Sequence, residues 1–165
     1  MSKVQITDEP FSLTFAQLSK HYVGGVCQRL SSIGIDRYYY IIQLIHKNPE
    51  KATQQWIAEQ LSYNKTNMVR VADYLCERGF ITRKINPQDR REHVLILTEK
   101  AEKVIPLISQ TYTDLNNEAL KGFSDTEKDQ FIKLVSRMHE NVTKLPGDMC
   151  TVRFKITKST NDDKA

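Results

Sequence analysis

Between Gly79 and Thr98 the hydrophobic pattern of this chain changes period, and that change constrains the fold more than any other feature. Elsewhere apolar residues recur every three or four positions, the spacing of one helix face. Phe80–Ile85 and His93–Leu97 are instead β-rich runs, joined by the polar link Asn86-Pro87-Gln88-Asp89-Arg90-Arg91. That arrangement predicts a β-hairpin with a basic tip. An isolated two-stranded hairpin is marginal in water, so this one needs helices to pack on.

The helices are readable on both sides of it. A first helix is expected over Ser12–Ser32, with Phe15, Leu18, Tyr22, Val26 and Leu30 in helical register and Gly24-Gly25 interrupting it. Those glycines either allow close approach of another helix or weaken this one. Asp36 can cap a second helix from Arg37 to about Lys47, stopped by Asn48-Pro49. Thr53 can cap a third, through Leu61, that buries Trp56, Ile57 and Leu61. After the link Ser62-Tyr63 a fourth covers about Asn64–Arg78, with Met68, Val71, Ala72 and Leu75 at core spacing and Gly79 as a left-handed stop. Thr98 opens a long helix that ends at Gly122, and Ser124 with Glu127 has capping-box spacing for a last one, stopped by Pro146-Gly147. The predicted fold class is mainly α with a small β-hairpin wing: a winged helix-turn-helix over 36–97, flanked by helices in 1–35 and 98–146. A tail over 147–165 follows, in which Thr151–Thr157 alternates as a half-buried strand would; it is expected to dock on the helices, with Ser159–Ala165 mobile.

Charge singles out the middle of the chain. Ser62–Arg91 holds seven basic and three acidic residues, a balance of +4 that equals the formal net charge of all 165 residues. By itself this describes a solvated charged face as well as it does a nucleic-acid footprint. Its placement on two short helices and a hairpin favours the second. A helix fits the major groove of B-DNA, where each base pair shows a distinct edge, and its early residues face those edges. Here they are Asn64, Lys65, Thr66 and Asn67, with Arg70 one turn on. A hairpin is narrow enough for the adjacent minor groove, where arginine meets enhanced negative potential.

Other classes of function find little support. Cys27, Cys76 and Cys150 form no CxxC pair, and His21, His46, His93 and His139 no HxxxH pair, so neither a disulfide framework nor a metal site is expected, and no cofactor. There is no phosphate-binding glycine loop and no nucleophile elbow, so an enzyme is not expected. The apolar runs fall far short of the ~20 residues that span a bilayer, and Met1–Pro10 does not resemble a secretory signal; a cytoplasmic protein is the expectation.

The stretch Leu75-Cys76-Glu77-Arg78-Gly79-Phe80-Ile81-Thr82-Arg83, then Asp89-Arg90-Arg91, then Leu97-Thr98, resembles the signature of the MarR family of winged-helix transcriptional regulators, and the resemblance extends over about Leu13–Leu145. One departure is Ala101, where many members have glycine. The resemblance implies a ligand-responsive regulator, most often a repressor, that binds a pseudo-palindromic duplex as a homodimer through interlocked helices of 1–35 and 98–146. It implies that Arg91 enters the minor groove, with Asp89 on the same strand face holding its guanidinium. Arg90 would touch phosphate or groove, and Arg83 and Arg78 would touch phosphates. It also implies a small aromatic or phenolic effector, for which Tyr22, Tyr38 and Tyr39 are candidate pocket residues; core packing explains them as well. The peroxide-sensing branch carries a reactive cysteine where Thr14 stands here, so Cys27 reads as a core residue. Two alternatives stay open: a winged-helix protein-interaction module, and a ligand or redox sensor with secondary DNA binding.

Overall fold

The computed structural model describes residues 10–35, 38–87 and 89–146. Its elements are α1 (Phe11–Arg29), α2 (Tyr39–Lys47), α3 (Gln54–Gln60), α4 (Lys65–Glu77), β1 (Ile81–Ile85), β2 (His93–Leu97), α5 (Glu99–Ala119) and α6 (Asp125–Thr143), with 3-10 turns at Ser31–Ile33 and Pro49–Lys51. The mainly helical fold with one antiparallel hairpin is the one the sequence implies. The chain divides into a unit over 25–115 and a second formed by 1–24 with 116–165. The tail strand expected at Thr151–Thr157 lies outside the described residues, as does the proposed cap Asp36.

The 25–115 unit is built on a core of Ile41, Ile42, Ile45, Ile57, Met68, Ala72, Leu75, Phe80, Ile81 and Leu95, all buried. α3 packs on α4, α4 on β1, and both α2 and α3 on β2. Local signals fix the ends of these elements. The Thr53 hydroxyl accepts the Trp56 N–H at 3.0 Å and starts α3; Trp56 itself is only half-buried. The connection to α4 turns at Ser62, which adopts φ 50°. α4 ends in a Schellman motif: Gly79 at φ 70° lets the Phe80 N–H reach the Leu75 carbonyl and the Gly79 N–H reach that of Cys76, both at 2.9 Å. Leu75 and Phe80, the pair that closes such a motif, are both buried.

β1 and β2 pair antiparallel with Ile81 opposite Leu97 and Ile85 opposite His93. The sequence gives no hint of a third participant. Thr53 bridges to Val94, and the Leu95 N–H donates to the Ala52 carbonyl at 2.8 Å, so the residues ahead of α3 cover the second edge of β2. Thr98 then fastens the hairpin's exit: its hydroxyl donates to the Gly79 carbonyl at 2.7 Å and accepts the Ala101 N–H at 3.3 Å.

Two helices differ from expectation. α1 runs without interruption through Gly24-Gly25. A Cβ at Gly25 would meet the Leu115 side chain at 3.2 Å, whereas one at Gly24 would meet nothing; the close-approach role therefore belongs to Gly25. α2 begins at Tyr39 with Tyr38 in the cap position and no side-chain cap, two residues later than Arg37. In the other unit, the Ser124–Glu127 capping box of α6 forms, with Ser124 N donating to Glu127 Oε2 at 2.8 Å and Glu127 N to Ser124 Oγ at 3.3 Å. The Ser124 N–H and hydroxyl, both donating to Glu127 Oε2 at 2.8 Å, hold the Glu127 carboxyl below the usual range. None of the residues of α6 is buried.

Candidate nucleic-acid interface

The first turn of α4 is held by Asn64, whose Oδ1 accepts the Asn67 N–H at 2.8 Å. Asn64, expected to read a base, stands here as the helix cap. Pairing with adenine needs both ends of the amide, and here the oxygen serves the helix. Beyond the cap, Lys65, Thr66 and Arg70 are exposed and Asn67 is half-buried. The first turn of α4 contains no acidic residue, and its first residue is Lys65. A cation there opposes the positive end of the helix dipole.

At the hairpin tip the Asn86 N–H donates to the Glu92 carbonyl at 3.0 Å, and the Glu92 N–H to the Asp89 carbonyl at 2.9 Å. Asp89 Oδ1 accepts both the backbone N–H and Nε of Arg91, at 2.9 and 3.0 Å, while Oδ2 accepts Nη2 at 2.8 Å. The partnership expected of Asp89 and Arg91 is present, but not on a strand face: both residues lie in the loop, ahead of β2 at His93. The fork holds the Asp89 carboxyl below its ordinary pKa and raises that of Arg91. It leaves the guanidinium oriented yet 90% exposed, with Nη1 directed to no bond with Asp89. Arg90 and Lys84 are exposed beside it.

Arg83 and Arg78 behave differently from the phosphate contacts expected of them. Arg83 Nε donates to Gln54 Oε1 at 3.2 Å, Nη2 to the Val69 carbonyl at 3.2 Å, and Nη1 to Asp73 Oδ1. Arg78 Nη1 donates to the Gly34 carbonyl at 3.0 Å while the guanidinium lies over the Tyr74 ring. Both side chains join elements within the protein. Gln54, Asp73 and Thr98, which serve this framework, were not apparent as such in the sequence: each is an ordinary helix or cap residue until its partner is known.

The tyrosines separate. Tyr39 is 1% exposed and its hydroxyl donates to the Leu30 carbonyl at 2.8 Å, so it is a satisfied core residue and no pocket wall. Tyr38 is half-buried, edge-on to Tyr74 at 5.5 Å. Tyr22 donates to Asn116 Oδ1 at 2.9 Å, and burial pushes its pKa up. Cys27 and Cys76 are partly buried, and burial is the main reason the Cys76 thiol is pushed up, away from the reactive thiolate. Among the described residues no cluster of His, Cys, Asp and Glu could hold a metal, and no helix is long and apolar enough to cross a membrane.

Two short helices joined by a tight turn, with a hairpin appended and its exit fastened to the second helix, define a winged helix-turn-helix protein. Residues 35–92 match the model of the MarR family. The solved structures that resemble the chain include the transcriptional regulator SlyA, 25% identical, with a TM-score of 0.75 over 84% of this chain and 96% of that one. A MarR family transcriptional regulator from Listeria monocytogenes, complexed with 26mer DNA, is 19% identical with a TM-score of 0.73 over 81% and 89%. The PcaV transcriptional regulator from Streptomyces coelicolor, in complex with its natural ligand, is 19% identical with a TM-score of 0.65 over 86% and 99%. Over residues 35–92 the chain is similar to the MarR family, and its fold is that of the MarR-family regulators it resembles.

Proposed function

We propose that this chain is a sequence-specific transcriptional regulator of the cytoplasm, a ligand-released repressor that binds a pseudo-palindromic duplex as a homodimer and catalyses no reaction. One observation carries the reading. The exposed Arg91, pre-oriented by Asp89, stands at the tip of a hairpin fastened to a helix whose exposed start offers Lys65, Thr66 and Arg70. Lys65, Thr66, Asn67 and Arg70 meet base edges and phosphates of the major groove, Arg91 the minor groove and Arg90 a phosphate. Asn64 and Asp89 hold the readers in place.

The homodimer is supported by α6, a helix of 19 residues with none buried, and by the exposed Phe11, Leu13, Phe15 and Leu18 of α1. Apolar stripes of this size mark an interface. The effector proposed is small and aromatic or phenolic; that a ligand acts at all accords with the similar PcaV regulator, solved in complex with its natural ligand. In vitro selection of bound duplexes tests the reading. Recovery of an inverted repeat with half-site centres about one helical turn apart, or a multiple of it, is expected; recovery of no common sequence contradicts it.

A further inference from the structure

We propose that Arg83 and Asp73 are positioning residues that fix the wing against the recognition helix, so that Arg91 and the start of α4 meet DNA together. The proposal rests on the DNA-binding reading above and reassigns Arg83 from a phosphate contact to an internal brace.

The geometry is that of a three-way joint. Arg83 sits at the middle of β1, opposite Leu95. Its three nitrogens each have a separate acceptor: Nε on Gln54 of α3, Nη2 on the Val69 carbonyl of α4, and Nη1 on Asp73 one turn further along α4. The ion pair is partly shielded, with the Arg83 side chain 26% and that of Asp73 47% exposed. A planar guanidinium can span three acceptors in fixed directions, whereas an ammonium of equal charge cannot. One side chain on the wing thus holds both helices of the helix-turn-helix. Asp73 is otherwise hard to explain: it brings negative charge to the helix that reads a polyanion.

That charge gives the test a sign. If charge alone mattered, Asp73→Ala would strengthen DNA binding. As a positioning residue its loss weakens binding by about tenfold, the middle of the range for residues acting through a shared network. Arg83→Lys keeps the charge, so a mere phosphate contact would survive it; the brace does not, and the same loss is expected. In the Arg91→Ala background both substitutions lose most of their effect, because what they position is gone. The measurements are duplex titrations on the selected site well below each variant's unfolding temperature, with Asp73→Asn as the milder variant should Asp73→Ala fail to fold. Unchanged or tighter binding by the Asp73 variants, retained affinity in Arg83→Lys, or effects additive with Arg91→Ala would each overturn the proposal. Failure of the unaltered protein to prefer any duplex would instead overturn the DNA-binding reading, and this inference with it.

Discussion

At the scale of single residues, the site depends on backbone conformations that the side chains only partly favour. Ser62 turns the chain from α3 to α4 at φ 50°, in the region where a β-carbon is strained. Ser62→Gly relieves that strain and is expected to raise stability by up to ~1 kcal/mol in urea unfolding, the glycine's greater unfolded-state entropy offsetting the rest; a loss would show that the serine side chain stabilises the turn. The Asp89–Arg91 fork has a pH dependence of defined sign. Arg91 lowers the Asp89 carboxyl's pKa below its unfolded value, so the ordered tip is fully stabilised above the ordinary aspartate pKa of about 3.9 and loses that contribution as pH falls through the lower, folded value. An NMR titration of the Asp89 carboxyl is expected to give a midpoint below that of an unpaired aspartate, rising to the ordinary value in Arg91→Ala. Asn64 shows where residue-level reading of the sequence stops. The same amide is a good base reader and a good helix cap, and only the 2.8 Å bond to the Asn67 N–H decides between them.

At the scale of elements, the sequence is legible wherever a local bond ends a helix or starts one. Thr53, Ser124 and Gly79 were identifiable because their partners lie within a few residues. The α2 start was less so: Tyr38 stands at the cap position and forms no side-chain cap bond. The brace on Arg83 was not legible at all, since Gln54 and Asp73 lie 29 and 10 positions away and nothing short-range distinguishes an arginine that will be satisfied internally from one left for DNA. Thr98 spans both cases. Its role as first residue of a helix was readable, but its bond to the Gly79 carbonyl at 2.7 Å, which ties the wing's exit to the end of α4, was not. Removal of this hydroxyl in Thr98→Ala is therefore expected to cost about 1–2 kcal/mol in chemical denaturation, the upper half of the range for a lost cap, with Thr98→Ser close to the unaltered protein. Equal losses in both variants would mean that the methyl group, not the bond, matters.

At the scale of the whole molecule, α6 and the start of α1 carry the longest runs of exposed apolar side chains among the described residues. Phe131, Leu134, Val135 and Val142 on α6, and Leu145 just beyond it, are all more than a third exposed, although the helix itself is well capped. Burial of such side chains contributes about 1.5–3 kcal/mol each, which is why an unpaired α6 is a poor end state for the chain. Leu134→Glu combined with Val135→Glu is expected to shift light-scattering mass from dimer towards monomer and to lose DNA affinity without any change at the reading surface; a variant that remains a dimer would locate the interface elsewhere. Whether α4 and the wing read duplex DNA as a unit is tested most directly by competition binding. The unaltered protein and Arg91→Ala are titrated against the selected duplex and a scrambled one at the same salt. The account requires the unaltered protein to favour the selected site by about a thousandfold or more, and Arg91→Ala to lose much of that preference; equal affinity for the two duplexes would contradict it.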